Sequence, residues 1–139
     1  MFKRVLMLGV IAIGLLAFTE AKAQSEFKFD VTGAVVKVVD DNGDWGEWSD
    51  RIDLSTTGKF IEEESKVIIY GEEKNQIYNL QGSAETEEDD DGNTYMSFNA
   101  NTAGGDSVEV MFMFMKDDDE TFLLLISWDE LMIAYNCEF

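Results

Sequence analysis

Apolar and polar residues alternate with a period of two along most of the chain, and the clearest run is Ser107 to Met115. In an extended strand this sequence sends Val108, Val110, Phe112 and Phe114 to one face and Glu109, Met111, Met113 and Met115 to the other. Both faces are largely apolar, so the second one calls for a cover of core, ligand or partner. The same period appears at Phe27 to Val39, Lys66 to Tyr70, Gln76 to Leu80, Thr94 to Ala100 and Thr121 to Trp128. Arg51 to Thr57 and Lys59 to Glu62 read as two short strands hinged at Gly58, and Gly82-Ser83 as a bulge.

Polar, Gly-containing and acidic stretches separate these runs: Asp40 to Asp44, Glu72 to Asn75, Asp89 to Asn93, Thr102 to Asp106 and Lys116 to Glu120. Ser127-Trp128-Asp129-Glu130 has the form of a helix capping box, while Leu131 to Tyr135 has hairpin spacing to the preceding run; the strand is preferred. Strands at short, even intervals predict an all-β antiparallel meander of eight to nine strands. An up-and-down, lipocalin-like barrel is preferred over a two-layer sandwich because closure removes exposed edges.

The first 23 residues carry a different pattern. Lys3 and Arg4 precede an apolar run, Val5 to Phe18, and Ala21-Lys22-Ala23 forms an A-x-A cleavage site, so residues 1–23 read as a secretory signal peptide and 24–139 as a single β domain. No cysteine stands just after the apolar run, so the expected product is exported to the periplasm or beyond without a lipid anchor. Setting aside Lys3, Arg4, Lys22 and Glu20 from 10 basic and 29 acidic residues leaves 7 and 28, a net charge of −21. Such a charge repels nucleic acid and anionic lipid and keeps an exported protein soluble. The lone Cys137 excludes an internal disulfide and reads as a small buried hydrophobe, and the absence of histidine removes the usual triads and His-containing zinc sites.

Several short motifs stand in order: Trp45-Gly46-Glu47-Trp48, Val67-Ile68-Ile69-Tyr70, Gln76-Ile77-Tyr78-Asn79-Leu80, Asp91-Gly92-Asn93 and Ile133-Ala134-Tyr135-Asn136. Together they resemble a group of small exported single-domain β proteins of Bacteroidota. The resemblance covers roughly residues 45 to 136 and implies compartment and fold, with no activity attached to it.

Four clusters carry candidate chemistry. Trp45 and Trp48 stand on opposite sides of an ideal strand, where one plugs the domain and the other meets solvent or a sugar ring beside Asp44, Glu47 and Asp50. Met111, Met113 and Met115 form an adaptable apolar stripe of the kind found at promiscuous binding sites. Glu87-x-Asp89-x-Asp91-Gly92 opens like a calcium loop with Asp89 and Asp91 as its candidate ligands, but the twelfth position from Glu87 is Phe98 where a bidentate Glu belongs, so solvated turns are the stronger reading. Paired carboxylates also serve glycoside hydrolysis, although no nucleophile, base and orienting group can be assembled here. The sequence therefore favours a non-catalytic binding protein without cofactor, for a small apolar or amphipathic molecule or a partner protein. An acidic interaction or calcium module is the alternative, and a carbohydrate hydrolase ranks last.

Overall fold

A computed structural model describes residues 26–139; the signal-peptide assignment to residues 1–23 lies outside them. Eight strands run in chain order: β1 (Glu26–Val38), β2 (Ile52–Ile61), β3 (Lys66–Ile69), β4 (Gln76–Glu88), β5 (Thr94–Thr102), β6 (Ser107–Phe114), β7 (Thr121–Ser127) and β8 (Leu131–Glu138). Each pairs antiparallel with its sequence neighbours, and β8 closes on β1 from Asp30–Glu138 to Val38–Leu131, giving a closed up-and-down barrel. The barrel, the strand count and the strand at Leu131–Glu138 agree with the alternation. The capping-box residues are drawn into a hairpin: Ser127 pairs with Met132, and the Trp128 N–H donates to the Leu131 carbonyl at 2.8 Å.

The two short strands expected around Gly58 are one. β2 is continuous through Gly58, which pairs with Phe29 on β1 and Ile69 on β3. The Phe29 ring lies across this glycine, so closely that a methyl group there would overlap it. An aromatic ring from the neighbouring strand thus supplies the packing that glycine lacks. The expected bulge at Gly82 is present: the β4–β5 register shifts between Gln81 and Glu85, with Gly82 at φ 69°.

Three of the acidic or polar turns share one frame. In Asp40–Asp44, Asp89–Asn93 and Thr102–Asp106 the first N–H donates to the fifth carbonyl, and the fourth residue, a glycine, donates back to the first carbonyl. Those glycines need left-handed backbone, with φ of 83°, 84° and 92° at Gly43, Gly92 and Gly105. The side-chain oxygen of the first residue also accepts the fifth N–H, at 3.0 Å in Asp40, 2.9 Å in Asp89 and 3.1 Å in Thr102. Asp and Thr sit there because their short oxygen-bearing side chains reach their own backbone.

Up-and-down order places the 62–65, 89–93 and 115–120 turns at one end of the barrel and the 39–51, 70–75, 103–106 and 128–130 connections at the other. The first end is closed by rings. Phe27, Phe29, Phe60, Phe98, Phe112, Phe114, Phe122 and Phe139 form one network of contacts with centroids 4.9 to 6.5 Å apart. The outside is different in character: Lys28, Asp30, Asp53, Lys59, Glu85 and Glu87 point away from the apolar interior. On these strands the distribution is the reverse of a lipid-facing barrel, whose outer band is apolar and whose lumen is polar, while β6 and β7 carry an apolar outer row of Met111, Met113, Leu123 and Leu125.

Candidate functional site: an apolar cleft at the open end

The other end is shaped by an unequal ladder. β3 has only 4 residues between neighbours of 10 and 13, and its pairing with β2 stops at Gly58–Ile69. Beyond that point β2 continues upward to Ile52, held on this side through Tyr70: the Tyr70 N–H donates to the Thr57 carbonyl at 3.0 Å, and the Thr56 hydroxyl donates to the Tyr70 carbonyl. The wall gapes there into a cleft of about 520 Å³. Inward side chains of β1, β2, β3 and β8 line it, chiefly Val36, Ile52, Leu54, Ile69 and Ile133. Ile52 forms the lip and is 52% exposed although its side chain is wholly apolar.

Polar groups sit at a few points of this surface. Tyr135, Gln76, Thr56, Glu72 and Lys74 are among them. Beneath it, the Tyr78 hydroxyl donates to Gln76 Oε1 at 2.6 Å and meets the Tyr135 hydroxyl. Burial, then the neighbouring Tyr135, pushes the Tyr78 phenol well up, and burial raises Tyr135 as well. Both phenols therefore stay protonated at neutral pH and serve as hydrogen-bonding groups, unsuited to act as bases. Trp128 packs edge-on against Tyr78 at 6.2 Å and lines a smaller recess of about 250 Å³ that shares Lys74 and Gln76 with the cleft. Lys74 forms no ion pair among the described residues. The site can take an apolar body and offers hydroxyls, one amide, one carboxylate and one ammonium among its lining groups.

The residues singled out from sequence lie elsewhere. The Trp45–Trp48 segment is not a strand, and the two rings share a side. Gly46 and Ser49 donate N–H groups to the Val38 and Val36 carbonyls, which folds the loop along β1. Both tryptophans then flank the Lys37 ammonium, at 5.5 Å from Trp45 and 4.5 Å from Trp48. They are 42% and 41% exposed, neither plugs the barrel, and neither lines the cleft. Met111 and Met113 are half-buried on the outer face, paired across the ladder with Leu125 and Leu123, while Met115 lies in the 115–120 turn.

Asp89 is occupied by its own turn. Oδ1 accepts the Asp91 and Asn93 N–H groups and Oδ2 accepts the Asn93 amide and the Tyr95 hydroxyl at 2.6 Å. These bonds, the Tyr95 hydroxyl first, hold its carboxyl below the ordinary range. Asp91 contributes its backbone N–H to that carboxylate. The described residues contain no group of three or more His, Cys, Asp or Glu side chains arranged to hold a metal. Cys137 is 1% exposed, and burial pushes its thiol well up.

The cleft residues carried little signal of their own. Ile52 and Leu54 alternate as in any strand, and only the mismatch in ladder length leaves them uncovered. No protein-family model, curated protein or solved structure matches the chain.

Proposed function

We propose that this is an exported, non-catalytic protein that holds a small amphipathic molecule in the cleft at the open end of the barrel. One observation carries the reading: eight phenylalanines fill one end, while the other is left apolar and open. A cleft of about 520 Å³ is within the size of small-molecule sites, and apolar walls with a few convergent polar groups are their usual composition. The apolar part of the ligand lies against Ile52, Leu54, Ile69 and Ile133, and its polar part faces Gln76, Thr56 and Lys74. The signal-like residues 1–23 and the resemblance to exported β proteins of Bacteroidota support the export in this reading.

Native mass spectrometry and solvent extraction of the purified protein test for a retained molecule. Nile red, a neutral apolar dye, supplies a direct probe. It is expected to bind the wild type with enhanced emission and to bind Leu54→Trp, which fills the cleft, at least tenfold more weakly. Met111→Asn, on the outer face, is expected to bind like the wild type. Equal dye binding by Leu54→Trp, with nothing extracted, removes the support for this reading.

A further inference from the structure

The outer surface from β4 to β7 places two unlike strips side by side. Cross-strand pairing sets Glu85 next to Ser97 and Ser97 next to Met111, and sets Glu87 next to Tyr95 and Tyr95 next to Met113. Continuing across the sheet, Met111 meets Leu125 and Met113 meets Leu123. Two rows therefore run from carboxylate through a small or aromatic residue to methionine and leucine. Glu109 stands two residues before Met111 on the same face of β6, opposite Asn99, and shares a surface hollow of about 370 Å³ with Glu85, Glu87 and Met111. The Tyr95 ring in its wall is tied down by its hydroxyl bond to Asp89.

Neither strip has a counterpart within the described residues. Met111, Met113, Leu123 and Leu125 are half-buried, and the ladder pairs Met111 with Leu125 and Met113 with Leu123. Among the described residues Glu85, Glu87 and Glu109 form no ion pair and belong to no group arranged to hold a metal. Carboxylates two residues apart on one strand stand about 7 Å from each other, and the methionine row lies two strands away, roughly 10 Å. Separated charges beside an apolar row suit several cations carried on one apolar backbone better than a single ion. A second copy of this chain would bring the same negative charge to the same strip, and anionic nucleic acid or lipid would be repelled.

We infer that this face docks a basic amphipathic polypeptide segment, with apolar side chains on Met111, Met113, Leu123 and Leu125 and lysines or arginines against Glu85, Glu87 and Glu109. The carboxylates attract and orient the segment and the methionines adapt to its apolar face. This surface is independent of the open-end cleft.

A fluorescein-labelled 14-residue helical Leu/Lys peptide, with leucines on one face, tests the proposal by anisotropy against the full chain at 0.15 M salt. A scrambled peptide of the same composition is the control. The amphipathic peptide is expected to bind at least tenfold more tightly than the scrambled one. Glu85→Gln/Glu87→Gln and Met111→Asn/Leu125→Asn should each weaken it at least tenfold. Asp30→Asn/Asp41→Asn, which removes two exposed carboxylates elsewhere, should change it less than twofold. Equal binding of the two peptides, or equal losses in all three double variants, would mean adsorption by bulk charge and overturn the proposal. Sedimentation velocity of the protein alone supplies a further check: a dimer abolished by Met111→Asn/Leu125→Asn would assign the face to a second copy and overturn it too. The Gln variants keep side-chain shape, and circular dichroism of each variant confirms that it is the surface that has changed.

Discussion

At the scale of single residues, Gly58 and Asp89 show how little room the barrel leaves at particular points. Gly58 lies in a continuous ladder, and the Phe29 ring occupies the space its side chain would take. In Gly58→Ala the added methyl overlaps that ring, which already packs edge-on against Phe122 at 5.4 Å, so the variant is expected to lose about 1 to 3 kcal/mol, as overpacked cores do. Urea denaturation reads this directly, with the midpoint falling at unchanged slope. Asp89 acts through its charge. Its carboxyl is lowered in the folded protein by the Tyr95 hydroxyl and by turn N–H groups, so the ionised form is the one that folding favours. The margin of wild type over Asp89→Asn should therefore be full above the unfolded-state carboxylate pKa of about 4 and shrink as pH falls through the lower folded value. Paired melts of the two proteins between pH 7 and pH 2 measure it. A margin independent of pH would mean that Asp89 acts only as a neutral acceptor.

At the scale of elements, the strands are legible because alternation and turn chemistry agree: Val108 to Phe114 reads as a strand and is one, with its Val/Phe side in the core. Gly58 was legible as a glycine but not as a covered one, since its partner ring is 29 residues away in sequence and the pairing decides its role. Trp45 and Trp48 drew attention by type, yet their position depends on backbone bonds from the loop to β1 and on Lys37, none of which spacing encodes. The cleft was hidden for a related reason. It arises from the difference in length between β2 and β3, a property of two strands together, while Ile52 and Leu54 look like any buried pair. That same mismatch predicts unequal protection. Amides of Ile52 to Thr56 that face the cleft, and those of the 70–75 connection, should exchange with solvent well before those of β6 and β7, which are paired on both sides. Amide hydrogen exchange resolves the order, and uniform protection around the barrel would mean that the wall closes between β2 and β3 in solution.

For the whole molecule, charge is the dominant unbalanced quantity. The chain carries a formal net charge of −19, and the ion pairs Arg51–Asp53, Lys59–Glu26 and Lys66–Glu64 among the described residues, at 3.2 to 3.5 Å, involve partly exposed side chains. Exposed pairs of this kind contribute little, whereas like-charge repulsion acts over the whole surface and is strongest at low salt. Raising ionic strength from 0.01 to 0.15 M shortens the screening length from about 30 to about 8 Å. Screening therefore removes more repulsion than attraction, and the melting midpoint should rise with sodium chloride. Calcium separates screening from a bound site. The carboxylates of Asp40, Asp89 and Asp118 already accept turn N–H or hydroxyl groups, so a calcium ion would have to displace those bonds to gain oxygen ligands. At fixed ionic strength, millimolar calcium should then raise the midpoint no more than the same concentration of magnesium. A calcium-specific rise of several degrees, lost in Asp89→Asn, would instead mean that the Asp89–Asn93 turn opens to take the ion, and the acidic connections would change from turn formers into a binding site.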